Sequence, residues 1–320
     1  MRCALVFVAL LLLGGCEQKR DVLPEYGTLP THAVIASARN LETRGLLWVL
    51  PGPAQPQFTS EIPRELAVAP VVTILVHGYN TPPPKVATYF EGLISYLRED
   101  RHHAIPLVIY DWKSTARHWE EVPVKEQMAY IDFLSSTVGE RLGGRIPGLP
   151  PGLRWESMQY TADRTQASTT AVEGLALLVK QLSGARLDVK VIIVAHSMGS
   201  QVVIDALRQR AEEMSAVKKV VLLAPDVDAK VLQDEKLTSI RHLDALHVFF
   251  SVHDEIVRMY SRVANLGFPR LGATGPSDAS KVPAFVHIHD VGETLGTSGV
   301  HGRYVTRDGA AAVRLEEVLQ

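Results

Sequence analysis

Cysteine is nearly absent from this chain. Two occur in 320 residues, Cys3 and Cys16. Beyond them the body can carry no disulfide, no cysteine metal site and no cysteine nucleophile. Charge of one sign is also lacking: 33 Lys and Arg stand against 35 Asp and Glu, a formal net charge of −2. That balance offers no basic face for nucleic acid. The apolar run from Ala4 to Leu13 is too short to cross a bilayer as a helix, which takes about 20 residues. There is no internal repeat and no low-complexity tract. What remains is 46% hydrophobic and 21% charged, enough for one large domain with a sizeable core.

The start is the sharpest local bias. Arg2, the apolar run and Leu13-Gly14-Gly15-Cys16 describe a secretory signal with small residues at its cleavage point. The quartet resembles a bacterial lipobox, which implies a lipid on Cys16 as the mature first residue. An ordinary signal peptide with a chance cysteine is the plainer alternative. Glu17 follows, with no aspartate to suggest inner-membrane retention. The resemblance thus implies a lipid-anchored protein of the cell envelope facing the periplasm, with the outer membrane favoured. Several acyl chains on one cysteine would hold it firmly, since one chain alone is marginal. Residues 1–15 are read as signal, 16–65 as tether and one or two edge strands, and 66–320 as the main domain.

Within that domain, apolar runs alternate with helical patterns. Val71–Val76, Ile105–Tyr110, Val189–Ala195, Val220–Ala224, His247–Val252 and Phe285–Ile288 read as buried strands. Val86, Phe90, Leu93, Ile94 and Leu97, then Ala167 to Leu182, repeat at helical spacing. Such alternation predicts an α/β fold, a mostly parallel sheet with helices on both faces. Sites on these sheets lie beyond the carboxyl ends of the strands. Standing there are His77-Gly78-Tyr79-Asn80, Asp111, His196-Ser197, Asp226, Asp254 and, after the last strand, His301.

Ala195-His196-Ser197-Met198-Gly199, between a strand and a helix, resembles the nucleophile elbow of α/β-hydrolases, with alanine for the first glycine. A serine hydroxyl needs a base, and the base needs a carboxylate to orient it. Ser197, Asp254 and His301 follow the serine, acid, histidine order of that fold. An oxyanion hole needs two N–H donors. Met198 at the helix start and Tyr79 in the glycine turn are the candidates.

Leu75-Val76-His77-Gly78-Tyr79-Asn80-Thr81, the elbow, Leu223-Ala224-Pro225-Asp226-Val227-Asp228, Ser251-Val252-His253-Asp254, Pro269-Arg270-Leu271-Gly272 and His301 with Tyr304 occur in order. Together they resemble a family of bacterial α/β-hydrolases of unassigned biological function, some of them lipoproteins. Asp111-Trp112-Lys113-Ser114 and Tyr160-Thr161-Ala162-Asp163 correspond to two more of its motifs, with Lys113 in place of the family's proline. The gap between them is long, so residues 115–159 read as an insertion, either a cap over the site or a plain surface loop.

Rivals remain for each role. Asp226 or Glu255 could be the acid. His287 and His289 compete with His301, form a metal pair, which alone supplies too few ligands for zinc, or are polar residues on an edge strand. His77 and His196 read as braces, and His102-His103 as solvated. Arg270 is a substrate anchor or a structural ion pair. The expected activity is carboxylic-ester hydrolysis through an acyl-enzyme, on a small-molecule or lipid ester, without metal or organic cofactor. Other acyl transfer on the same triad, or a non-catalytic binding lipoprotein, are the alternatives.

Overall fold

A computed structural model describes residues 23–26, 29, 33–52, 55–99, 105–114, 160–261, 265 and 267–319. The signal segment, Cys16, His102-His103 and the 115–159 insertion lie outside the described residues.

Nine strands form one sheet in the order β3-β2-β1-β5-β4-β6-β7-β8-β9. They are β1 Ala33–Ser37, β2 Leu47–Leu50, β3 Gln57–Thr59, β4 Val71–Val76, β5 Leu107–Asp111, β6 Lys190–His196, β7 Val217–Leu223, β8 Ala245–Phe250 and β9 Val286–Asp290. From β1 through β5, β4 and β6 to β9 every pairing is parallel; β2 and β3 add antiparallel at one side. Where the sequence suggests one or two edge strands, three are present, and β1 lies inside the sheet against β5.

Side chains alternate between two cores, as the period of two in a strand requires. Val72, Ile74 and Val76 of β4 join Val191, Ile193 and Ala195 of β6 in one core. The helices Thr170–Ala185 and Gly199–Gln209 cover that face through Val172, Leu175, Val179, Val202, Val203 and Ala206. Leu75 and Val194 point the other way, to Val86, Phe90, Leu93, Val300 and Tyr304. Both faces are therefore sealed, which is why these strands read as unbroken apolar runs.

Two helical patterns are interrupted. The first is two helices, Pro83–Tyr89 and Glu91–Glu99, broken at Phe90. The second is helical through 160–167, turns at 168–169 and resumes at Thr170.

The chain passes from β4 to β5 on one side, then crosses to β6 on the other. The order reverses there, so the loops after β4 and β6 leave in opposite directions and open a crevice between them. His77 ends one loop's approach and Ser197 tops the other.

Candidate active site

Ser197 follows directly on β6 with φ +55°. The left-handed conformation costs a non-glycine residue about 1–2 kcal/mol. Asn80 and Ala224, beyond β4 and β7, share positive φ. Strained backbone thus collects at three neighbouring carboxyl ends. The elbow is fixed by Ser197 N–H bonding the Leu223 carbonyl at 3.0 Å and Asp226 N–H bonding the Ser197 carbonyl at 3.1 Å. Gly199 is required by proximity: a Cβ there would lie 2.5 Å from the His77 carbonyl oxygen. A Cβ on Gly78 would stand 3.0 Å from Ser197 Cβ, so the Gly78 turn rests against the serine.

His301, in the short helix Val300–Arg303, reaches both other residues. Its Nε2 is 3.1 Å from Ser197 Oγ and its Nδ1 2.8 Å from Asp254 Oδ2. A carboxylate only accepts, so Nδ1 carries the proton and Nε2 is left to accept from the hydroxyl. Asp254 is fully buried, Ser197 is 6% exposed, and the His301 side chain is 18% exposed. The second Asp254 oxygen accepts from the Val257 N–H at 3.1 Å. The structure therefore brings 197, 254 and 301 together. Tyr79 lies in the turn against the serine, and Met198 precedes the helix Gly199–Gln209 with φ −63°. The N–H groups of such a first turn have no partner within the helix.

Asp226 is committed elsewhere. Its Oδ1 accepts from Arg270 Nε at 2.8 Å and from Ser261, and its Oδ2 from the Tyr160 hydroxyl at 2.6 Å. Burial alone would raise this carboxyl. Arg270, Ser261 and Tyr160 more than offset that and hold it below its ordinary value. Arg270 is 2% exposed, so of its two readings the structure shows the ion pair. His287 and His289 stack with His247 at centroid distances of 4.7 and 5.4 Å. Among the described residues no group of three such side chains is arranged to hold a metal.

Several contacts around the site escape a reading by sequence. Ser114 Oγ is 3.1 Å from the Gly78 carbonyl and 3.0 Å from Asp163 Oδ2, so two motifs flanking the insertion meet at the glycine turn. Asp111 is buried among Arg39 at 2.8 Å, Ser37 at 3.2 Å, His77 at 3.3 Å and the Tyr26 hydroxyl. His77 stacks on Trp112, whose indole N–H bonds the His77 carbonyl at 2.9 Å. Strand ends and the family motifs mark His77, Asp111, Trp112, Ser114 and Asp163 in the sequence, but not the contacts among them.

Solved structures of similar shape are distant. The lipase-esterase related protein of Clostridium acetobutylicum is 11% identical, with TM-score 0.40, 79% of this chain covered and 96% of that one. Aspergillus fumigatus lipase B is 12% identical at TM-score 0.38, with 78% of this chain covered but only 52% of the lipase's length. The catalytic core of Trichoderma reesei acetyl xylan esterase is 11% identical at TM-score 0.36, covering 78% and 98%. No curated protein matches the chain. A family model does match, over residues 56–305. The chain belongs to the family described as alpha/beta hydrolase of unknown function (DUF900).

Proposed function

We propose that the chain is a serine hydrolase acting on carboxylic esters. One observation carries the reading: the His301 imidazole bridges Ser197 Oγ at 3.1 Å and Asp254 at 2.8 Å, in the tautomer a general base needs. Ser197 Oγ attacks the ester carbonyl as its proton passes to His301 Nε2. The carbonyl electron pair becomes an oxyanion, held by the N–H groups of Met198 and Tyr79. Asp254 stabilises the imidazolium without taking its proton. Collapse expels the alcohol, which leaves with the proton from His301. Water, deprotonated by His301, attacks the acyl-enzyme, and its collapse frees the acid and returns the proton to Ser197.

The chain is further proposed to be anchored by lipid at Cys16 to an envelope membrane, facing the periplasm. What supports this is the sequence Leu13-Gly14-Gly15-Cys16 after a short apolar run. A series of p-nitrophenyl esters from acetate to palmitate tests the activity. Wild type is expected to cleave members of the series and Ser197→Ala none; a thioester or anilide panel on which alone the wild type turns over would reassign the chemistry.

A further inference from the structure

The tether enters the domain at the end of the sheet that carries the site. β1 runs parallel to β5, with Ala33 beside Leu107 at the amino end and Ser37 beside Asp111 at the carboxyl end. Seven residues before β1, the Tyr26 hydroxyl donates to Asp111 Oδ2. Tyr26 therefore stands at the carboxyl end although the strand that follows it begins at the other. It is also three contacts from the serine, because Asp111 holds His77, which opens the Gly78 turn that rests against Ser197.

Cys16 and Tyr26 are ten positions apart. Fully extended, that stretch spans at most about 33–36 Å. A domain of some 300 residues is about 50 Å across, from a radius of gyration of about 19 Å. With the carboxyl end turned away from the lipid, Tyr26, bonded to the buried Asp111 at the end of β5, would stand roughly 30–35 Å above the bilayer, reachable only with the tether near full extension and about twice the roughly 16–19 Å that a relaxed chain of that length spans.

Exposed apolar side chains do not decide the orientation by themselves, since they occur at both poles. Val68 and Leu187, 60% and 96% exposed, stand where chain enters β4 and β6 at the amino end. Val252 and Ile256, 45% and 46% exposed, flank Asp254 at the carboxyl end. The tether chooses between them. We infer that the carboxyl end of the sheet is held toward the bilayer, with Val252 and Ile256 at the lipid interface, and that the Ser197 site takes its ester from a membrane-resident amphiphile. This rests on the hydrolase and lipid-anchor readings above and deepens both.

The mature chain has no other cysteine, so Val252→Cys and Leu187→Cys each accept a single bimane label. The full lipidated chain is reconstituted in phosphatidylcholine vesicles containing doxyl-labelled phosphatidylcholine. Label at 252 is expected to be quenched and label at 187 not. Inserting 20 Gly/Ser residues between Lys19 and Arg20 should abolish the quenching. It should also slow cleavage of a pyrene-labelled long-chain ester in the vesicles several-fold, relative to soluble p-nitrophenyl acetate. Quenching at 187 instead of 252, or a vesicle-ester rate indifferent to the insertion, overturns the inference. So does a mature chain whose mass shows no lipid on Cys16. Quenching at 252 without cleavage of either ester overturns the hydrolase reading and leaves the orientation standing.

Discussion

The Nε2–H of His196 donates to the main-chain carbonyl of His301 across 2.8 Å. The carbonyl can only accept, so this tautomer is fixed, and His196 Nδ1 accepts from the Tyr89 hydroxyl at 2.7 Å. The Tyr89 oxygen in turn accepts from the Gly78 N–H at 3.3 Å. Burial, with His301 nearby, pushes His196 well below the ordinary histidine range. A neutral imidazole thus ties the glycine turn to the short helix of the proposed base, from the position before the serine.

His196→Ala cuts that tie. Misplacing a reacting group by about 1 Å costs about 100-fold, so kcat should fall about 10- to 100-fold with little change in KM. His196→Gln keeps an N–H donor and should recover part of the loss. Steady-state kinetics on p-nitrophenyl butyrate checks both; equal kcat in wild type and His196→Ala contradicts the role.

The two aspartates should separate cleanly. Asp254→Asn is expected to lower kcat about 10⁴-fold while the protein stays folded. Asp226→Asn breaks a buried pair with Arg270 and should cost about 3–5 kcal/mol of stability, measured by urea unfolding, with kcat per folded molecule largely kept. A reversal of those two phenotypes would make Asp226 the acid.

Backbone crowding makes Gly199 specific. Gly199→Ala places a Cβ 2.5 Å from the His77 carbonyl oxygen and 2.6 Å from that of Val76. Neither backbone can withdraw without moving a strand, so stability should fall by about 1–3 kcal/mol. Gly184, in the helix Thr170–Ala185, has open space around it. Gly184→Ala should instead stabilise by up to about 1 kcal/mol. Thermal unfolding of the two variants reads the contrast.

Stability should fall on mild acidification. Burial, then the charges of His287, His289 and Lys219, lower His247 to about 4 in the folded protein. The unfolded chain takes up a proton near pH 6.5. Between those values the unfolded state holds more protons, so stability is full above about pH 6.5 and declines as pH falls toward 4. The unfolding temperature of wild type should drop between pH 7 and pH 5, and His247→Gln should flatten that drop. Parallel curves for the two would remove His247 from the account.

How much of this was legible depended on the range of the interactions. Inner strands such as β4 and β6 could be read because both faces of a parallel sheet demand apolar residues, as Val191–Ala195 shows, whereas β9, at the sheet edge with only Val286 buried, carries a shorter apolar stretch. The break at Phe90 could not, because apolar spacing continues through it and only the φ of −107° marks the end of a helix. Strand ends pointed to Ser197, Asp254 and His301 as residue types suited to one chemistry. The ties among His196, Tyr89 and His301 join positions 105 and 107 residues apart, and no local pattern encodes such contacts. Asp226 shows the same limit: its strand end resembles that of Asp254 until Arg270 is seen filling it.

The most direct measurement is fluorophosphonate labelling of the intact protein, read by mass spectrometry of its peptides. The account predicts one adduct, on Ser197 Oγ, lost in Ser197→Ala and strongly slowed in His301→Ala and Asp254→Asn. An unlabelled wild type, or an adduct on another serine that survives Ser197→Ala, would contradict it.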